Sequence, residues 1–193
     1  MSRGVTNYQR LGQVAWEKMP KVSSELFALT YGSMVSQVIK DYEKVDAINL
    51  QLDKMGYNIG IRLIDEFLAK SGVEMETPCS SLRETADMIC KVAFRMFLNI
   101  NAECSNWGPD DNHFSVLFSD NPLTEFVELP PHLQDLRYCN IFAGIIRGAL
   151  SMVQLDVEVE LVREVLRGDD TNEIKVIYKQ SLKTEMAAAY DDT

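Results

Sequence analysis

The chain has 193 residues, of which 46% are hydrophobic and 25% are charged, a balance typical of one soluble domain with its own core. Its formal net charge of −10 argues against direct binding of nucleic acid or of an anionic bilayer, because both repel an acidic surface. The longest apolar run, residues 141–146, is far too short to cross a bilayer, so any membrane association is expected to be peripheral.

The first 22 residues mix charged, polar and apolar side chains and contain two glycines and a proline. Residues 1–22 are therefore predicted to form a flexible N-terminal extension. Their charged side chains leave no apolar stretch of the kind that a signal peptide requires. A single domain is predicted over residues 23–180, followed by an acidic C-terminal tail over residues 181–193.

Four helices are predicted from apolar side chains that recur three and four residues apart. Ser23 is suited to cap the first helix, and Gly72 to end the second. A polar turn over residues 74–81 separates the second helix from the third. The predicted helices cover residues 23–43, 45–71, 82–99 and 136–154.

Strands are predicted where apolar and polar side chains alternate. Two flank a Ser-Asp-Asn-Pro turn, and two more flank a turn at Gly168, so each pair is expected to form a hairpin. The predicted strands cover residues 113–118, 124–129, 155–161 and 174–178. The order of elements favours an α+β fold, a single domain with helices packed on one face of a twisted antiparallel sheet.

The four cysteines, Cys79, Cys90, Cys104 and Cys139, include no C-x-x-C pair and match no zinc-site spacing. We therefore expect reduced thiols in a cytosolic protein. Cys90 and Cys139 fall within predicted helices and are interpreted as small buried hydrophobic residues. Cys79 lies in the polar turn before the third helix, where it is expected to be accessible and where the helix dipole favours a thiolate. The position of Cys104 in a polar loop indicates nothing.

Motifs for phosphate binding, dinucleotide binding, zinc-dependent proteolysis and serine hydrolysis are all missing from the sequence. The two histidines, His113 and His132, are expected to be structural or solvent-exposed rather than a catalytic pair. The Asp-Asp-Asn run at residues 110–112 lacks the following calcium ligands, so a solvated loop is the preferred interpretation. No catalytic residue and no metal site are predicted.

Two pairs of glycines lie four residues apart within predicted helices, Gly56 with Gly60 and Gly144 with Gly148. A glycine inside a helix costs roughly 1 kcal/mol relative to alanine, so four of them need a reason. Close contact between helices is one explanation. Space for a ligand or for another subunit is the other, and the sequence leaves both open.

Six segments keep a constant order and near-constant spacing within about residues 23–178: residues 52–60, 83–87, 91–94, 121–123, 126–130 and 147–150. Together these segments resemble the small subunits of the transport protein particle (TRAPP) family, most of all its acylated core subunit.

The resemblance implies a non-enzymatic scaffold subunit of a vesicle-tethering complex in ER-to-Golgi transport. It implies partners among the other small subunits, in homo- or heterodimers, and a contribution to guanine-nucleotide exchange on a Rab-type GTPase through the assembled complex. The expected location is cytoplasmic and peripheral, at the early Golgi and the endoplasmic reticulum. It further implies a covalent palmitoyl group on Cys79, four residues before Arg83, and no other cofactor. The alternative function is that of a soluble lipid carrier with an exchangeable ligand. A third and weaker alternative is an acyltransferase that uses Cys79 as nucleophile and His113 as base.

The expected channel for this acyl chain follows one face of the third helix. Ala86 and Ala93 lie seven residues apart on that face and are small where a packed helix usually carries leucine. A sixteen-carbon chain is about 20 Å long, which is the length of about 13 helical residues. The predicted channel-lining residues are Ile59, Leu63, Leu82, Ala86, Ile89 and Ala93.

Overall fold

A computed structural model describes residues 3–73 and 81–181 of the chain. The helices are α1 (Arg3–Lys18), α2 (Ser24–Asp41), α3 (Val45–Lys70), α4 (Leu82–Asp87), α5 (Phe94–Leu98) and α6 (Asn140–Met152), and a π-helical segment (Met88–Ala93) joins α4 to α5. The strands are β1 (Glu103–Ser105), β2 (His113–Phe118), β3 (Leu155–Arg163) and β4 (Asn172–Ser181). Among these residues, no helix combines the length and the apolar character needed to cross a bilayer.

The sheet has the strand order β1-β2-β4-β3, and every neighbouring pair is antiparallel. Helix α6 packs against β3. Helix α4 contacts β2, and the π-helical segment contacts β1. The predicted α+β class is thus confirmed, as is the hairpin of β3 and β4, whose turn contains Gly168 at a φ of +94°. Strand β1 was not predicted, because three residues are too few to show an alternating pattern.

The prediction of a strand over residues 124–129 is wrong, because residues 122–126 form turns and residues 127–129 have no regular secondary structure. The Oδ1 atom of Asn121 accepts a hydrogen bond from the N–H of Leu123 at 3.1 Å, and the N–H of Thr124 donates to the carbonyl of Asn121 at 3.2 Å. Such local bonds compete with strand pairing. Strand β2 is already paired on both of its edges, with β1 and β4, so the predicted first hairpin does not form.

The prediction of a flexible extension over residues 1–22 is also wrong, since α1 is a helix packed on the rest of the domain. Ala15 is buried in a second apolar cluster with Phe67, Val92 and Met96. A Cβ atom at Gly12 would lie only 2.3 Å from the carbonyl oxygen of Lys91, so glycine allows the close approach of α1 to the π-helical segment. The predicted acidic tail lies outside the described residues apart from residue 181.

The predicted third helix is continuous in direction but contains six residues of π-helix in its middle. The helix ends at Asn99, which takes the left-handed conformation with a φ of 58°. π-Helical insertions are uncommon and occur frequently at functional sites. This one forms part of the wall of the cavity described below.

The paired glycines bring α3 and α6 into close contact. A Cβ atom at Gly56 or Gly60 would lie 2.1 or 2.2 Å from a carbonyl oxygen of α6. A Cβ atom at Gly144 or Gly148 would lie equally close to a carbonyl oxygen of α3, at 2.1 or 2.2 Å. Of the two explanations left open by the sequence, helix–helix contact is therefore the one that the structure supports for all four positions.

Candidate functional site

An apolar cavity of about 480 Å³ lies between α2, α3, α6 and the helix formed by α4, the π-helical segment and α5. Leu123, from the turns after β2, adds to its wall. None of the lining residues within the described ranges, 3–73 and 81–181, carries a charge. The lining residues are Phe27, Thr30, Tyr31, Met34, Ile59, Leu63, Ile64, Phe67, Leu68, Thr85, Met88, Ile89, Ala93, Phe94, Phe97, Leu98, Leu123, Ile141, Phe142, Ile145, Ile146, Ala149, Leu150 and Val153.

Among the lining residues that the structure describes, three side chains contain a polar oxygen, and each hydroxyl donates a hydrogen bond to a backbone carbonyl. Thr30 donates to Leu26 at 2.6 Å, and Thr85 donates to Ser81 at 3.2 Å. Tyr31 donates to the carbonyl of Tyr138 at 2.5 Å. The wall therefore offers hydrocarbon to a ligand, and its hydroxyl protons are already used. Such a lining suits an aliphatic chain and is unsuited to general acid–base chemistry.

The cavity has the length of a fatty acyl chain. Its lining residues on the third helix extend from Thr85 to Leu98, a rise of about 20 Å at 1.5 Å per residue. Four lining residues, Phe27, Thr30, Ile59 and Leu68, remain more than a third exposed to solvent. The cavity is thus open to solvent on the side of α2 and α3.

Four of the six predicted channel-lining residues line this cavity, namely Ile59, Leu63, Ile89 and Ala93. The other two do not. Ala86 is completely buried in the main core, and Leu82 is half-buried against the same core. The reason is the π-helical segment, since its wider turn rotates the residues after Met88 relative to those before it, and a uniform helical face does not continue through it.

Lining residues on α2 and α6 were not predicted as part of a channel. Helix α6 carries apolar side chains around most of its circumference, which indicates burial on several sides but not against what. On α2, Phe27 and Met34 share an apolar stripe that is equally compatible with ordinary core packing. Their meeting across the cavity depends on how the helices pack, and the sequence pattern of each helix does not contain that information.

Cys79, the predicted acylation site, lies outside the described residues. The described chain resumes at Ser81, whose hydroxyl caps α4 by accepting from the N–H of Glu84 at 3.2 Å. Burial raises the pKa of Cys139 well above its usual value, and the nearby carboxylate of Glu164 adds to this effect. The hydrogen bond with Cys104, together with burial, raises the pKa of Cys90 in the same direction. Both thiols are buried and stay protonated at neutral pH, and the interpretation of Cys90 and Cys139 as small buried hydrophobic residues is confirmed.

The histidines and the acidic loop lie away from the cavity wall. His113 begins β2, and its Nδ1 atom lies 2.9 Å from the side-chain oxygen of Asn112. His132 is in a 3₁₀ turn, so the two imidazoles belong to separate parts of the fold. Asp111 accepts hydrogen bonds from Nε and Nη2 of Arg83, at 2.8 and 2.7 Å.

Three of the segments that carry the family resemblance, residues 52–60, 83–87 and 147–150, make contacts that hold the helices around the cavity in place. The carboxylate of Asp53 on α3 pairs with Arg147 on α6, whose guanidinium lies over the ring of Tyr57 at 4.6 Å. Arg83 lies over Trp107 at 4.5 Å and ties the start of α4 to the loop before β2. These contacts fix the relative positions of the helices, and hence the shape of the space between them.

Fold and cavity together define a class of protein: a small α+β domain whose helices enclose a long, uncharged space. The chain belongs to the transport protein particle (TRAPP) component family, whose model matches residues 27–177. It is 48% identical over 185 residues to trafficking protein particle complex subunit 3 of Dictyostelium discoideum, covering 95% of this chain and 98% of that protein. It is 50% identical over 181 residues to transport protein particle subunit bet3 of Schizosaccharomyces pombe, covering 92% and 95% of the two chains.

Among solved structures, the fold is similar to that of trafficking protein particle complex subunit 3 from Naegleria fowleri. The TM-score is 0.79 and the sequence identity 53%, with 82% of this chain and 96% of that chain covered. The Naegleria protein was crystallised covalently bound to palmitic acid. These similarities confirm the resemblance noted in the sequence.

Proposed function

We propose that this chain is a non-enzymatic subunit of the transport protein particle that holds a palmitoyl group, attached to Cys79, within the apolar cavity. The observation that carries the proposal is the cavity itself, about 480 Å³ in volume, whose described lining residues are all uncharged. Its length matches a sixteen-carbon chain, and a relative of 53% identity is covalently bound to palmitic acid.

Chain connectivity supports Cys79 as the attachment point. Cys79 precedes Ser81 by two residues, and two residues of extended chain span at most about 7 Å. The carbonyl oxygen of Ser81 accepts hydrogen bonds from both the N–H and the side-chain hydroxyl of Thr85, a residue of the cavity wall. A thioester at Cys79 therefore starts within reach of the end of the cavity at which α4 begins.

Burial of the chain makes the lipid part of the core rather than a membrane anchor. Each buried methylene contributes about 0.8 kcal/mol, so a palmitoyl chain contributes at most on the order of 10 kcal/mol. One chain cannot occupy the cavity and a bilayer at the same time. We propose that membrane association is peripheral, at the early Golgi and endoplasmic reticulum, and arises from the assembled complex.

Assembly with other small subunits, as a homo- or heterodimer, is proposed to use the exposed face of α2. Leu26 and Leu29 on this helix are 63% and 61% exposed, and Val22 just before it is 74% exposed. Contiguous apolar side chains of this kind mark interaction surfaces. Guanine-nucleotide exchange on a Rab-type GTPase is proposed as a property of the complex, to which this chain contributes as a scaffold.

The acylation part of the proposal is tested by intact-mass spectrometry of the full chain expressed in eukaryotic cells, before and after neutral hydroxylamine. We expect an added mass of one palmitoyl group that hydroxylamine removes. Cys79→Ser should abolish the adduct, whereas Cys104→Ser, a matched change outside the cavity wall, should retain it. An adduct that persists in Cys79→Ser would contradict the site.

The same measurement separates covalent attachment from an exchangeable ligand. A lipid carrier would release its fatty acid on denaturation and show no hydroxylamine-sensitive mass. Complex membership is tested separately by purifying the tagged chain from cells and identifying co-purified proteins. Recovery of the chain without other small subunits of the family would argue against the scaffold role.

A further inference from the structure

Two cysteines outside the cavity wall lie in direct contact. The Sγ atoms of Cys90, in the π-helical segment, and Cys104, in β1, are 2.7 Å apart. This exceeds the roughly 2.05 Å of a disulfide bond, and both residues are free thiols. The Sγ atom of Cys104 also lies 3.1 Å from the carbonyl oxygen of Ala86. Two separate elements, a helix and a sheet edge, thus bring one thiol from each to the same point.

The two thiols differ in their access to solvent. Cys90 is 1% exposed, whereas Cys104 is half-buried on β1, the edge strand of the sheet. Only β2 pairs with β1 in the described part of the chain. A small oxidant from solution therefore reaches Cys104 first, and Cys90 is placed behind it as the second thiol.

We propose that Cys90 and Cys104 form an oxidisable pair that a hydroperoxide converts to an intramolecular disulfide. The Cys104 thiolate attacks one peroxide oxygen, the O–O bond breaks, and the products are a Cys104 sulfenic acid and hydroxide or alkoxide. The Cys90 sulfur then attacks the Cys104 sulfur, the S–O bond breaks, and Cys90 loses its proton as water leaves. The two thiols are oxidised by two electrons, and the hydroperoxide is reduced to water or to an alcohol and water.

The disulfide would tie one wall of the cavity to the sheet. Cys90 lies directly after Ile89 and three residues before Ala93, both of which line the cavity. The bond closes a loop of about 15 residues and links the π-helical segment to β1. The inference rests on the thiol contact and on burial, and it does not require an acyl chain on Cys79.

The test uses the full-length wild-type protein, reduced, freed of reductant and then treated with stoichiometric hydrogen peroxide. We expect loss of the mass of two hydrogen atoms, loss of two alkylatable thiols after denaturation, and a cross-linked peptide joining Cys90 to Cys104. Dithiothreitol should reverse all three changes. The oxidised protein should melt several degrees higher, because a bond that closes a loop of this length restricts the unfolded chain.

Cys104→Ser and Cys90→Ala, which remove either thiol without adding volume, should each abolish the cross-link. A cross-link from Cys79 to either cysteine would overturn the assignment. So would addition of oxygen atoms to Cys104 while Cys90 stays alkylatable. A lower melting temperature after formation of the bond would contradict a pair already positioned by the native fold.

Discussion

Ala93→Leu is expected to fill part of the apolar cavity and to reduce the fraction of protein that carries an acyl chain. Ala93 lies at the end of the π-helical segment and lines the cavity together with Ile89 and Phe97. The substitution adds three carbon atoms that point into space the proposed chain occupies. Leucine also favours helix nearly as much as alanine, so the backbone itself has little reason to change.

The magnitude follows from the number of displaced methylene groups. Three carbons at about 0.8 kcal/mol each correspond to about 2.4 kcal/mol. In the acylated protein, the lipid loses this much burial free energy. The loss shifts the equilibrium between the buried and the expelled acyl chain by roughly 50-fold toward the expelled chain. For the unacylated protein the same carbons fill a void, so its stability should stay constant or rise slightly.

Ala86→Leu is the matched control because it makes the same chemical change seven residues earlier. Ala86 is completely buried and contacts the main core instead of the cavity. Overpacking at such a site typically costs 1–3 kcal/mol, about 2 to 4 °C in Tm per kcal/mol for a chain of this size. Ala86→Leu should therefore lower Tm while the protein that still folds is acylated normally.

Both readouts come from one sample of each variant, with Tm from differential scanning fluorimetry and the acylated fraction from intact mass. The expected pattern is a preserved Tm with a low acylated fraction for Ala93→Leu, and the opposite for Ala86→Leu. Unchanged acylation of a stable Ala93→Leu protein would refute the assignment of this cavity to the acyl chain.

Four further predictions concern the frame around the cavity. Gly144→Ala places a Cβ atom 2.1 Å from a backbone carbonyl oxygen of α3 and should lower Tm by several degrees. Gly32→Ala is the control, because its Cβ atom meets only a tyrosine hydroxyl at 3.4 Å, and it should preserve or raise Tm. Burial raises the pKa of Glu173, but its hydrogen bonds outweigh burial and hold the pKa below the usual value. The ionised carboxylate therefore stabilises the fold above about pH 4.5, and this stabilisation is lost as the pH falls through the lowered pKa. Glu173→Gln should cost about 1–3 kcal/mol of unfolding free energy, measured with urea at pH 7. Burial raises the pKa of Glu164. The protonated side chain therefore favours the folded state below about pH 4.5, and this stabilisation is lost as the pH rises through the raised pKa. Glu164→Gln should leave the stability at pH 7 unchanged or raise it, and a clear loss of stability at pH 7 would contradict this. Gly12→Ala should loosen α1, seen as faster hydrogen exchange confined to α1 and the π-helical segment, and unchanged exchange would show that the close approach is not needed.

Helix and strand periodicity identified α2, α3, α6 and the hairpin of β3 and β4 from the sequence, because each is long enough to show its pattern several times. Shorter or less regular elements escaped. Strand β1 has three residues, and the alternation over residues 124–129 is overridden by turns that Asn121 stabilises. Helix α1 was missed because its segment contains two glycines and has mixed polarity, although Tyr8, Leu11 and Ala15 recur at helical spacing.

The candidate site divides in the same way. The sequence alone determined the class of fold, the family resemblance, the position of Cys79 ahead of α4, and the presence of small residues on the third helix. Only the tertiary structure separated Ala93, on the cavity wall, from Ala86 in the closed core, because the π-helical segment shifts the helical face between them. Only the tertiary structure brought α2 and α6 to the same cavity and Cys90 to Cys104. Periodicity records which side of an element is apolar, whereas a cavity or a thiol contact depends on distances between elements that are far apart in the chain.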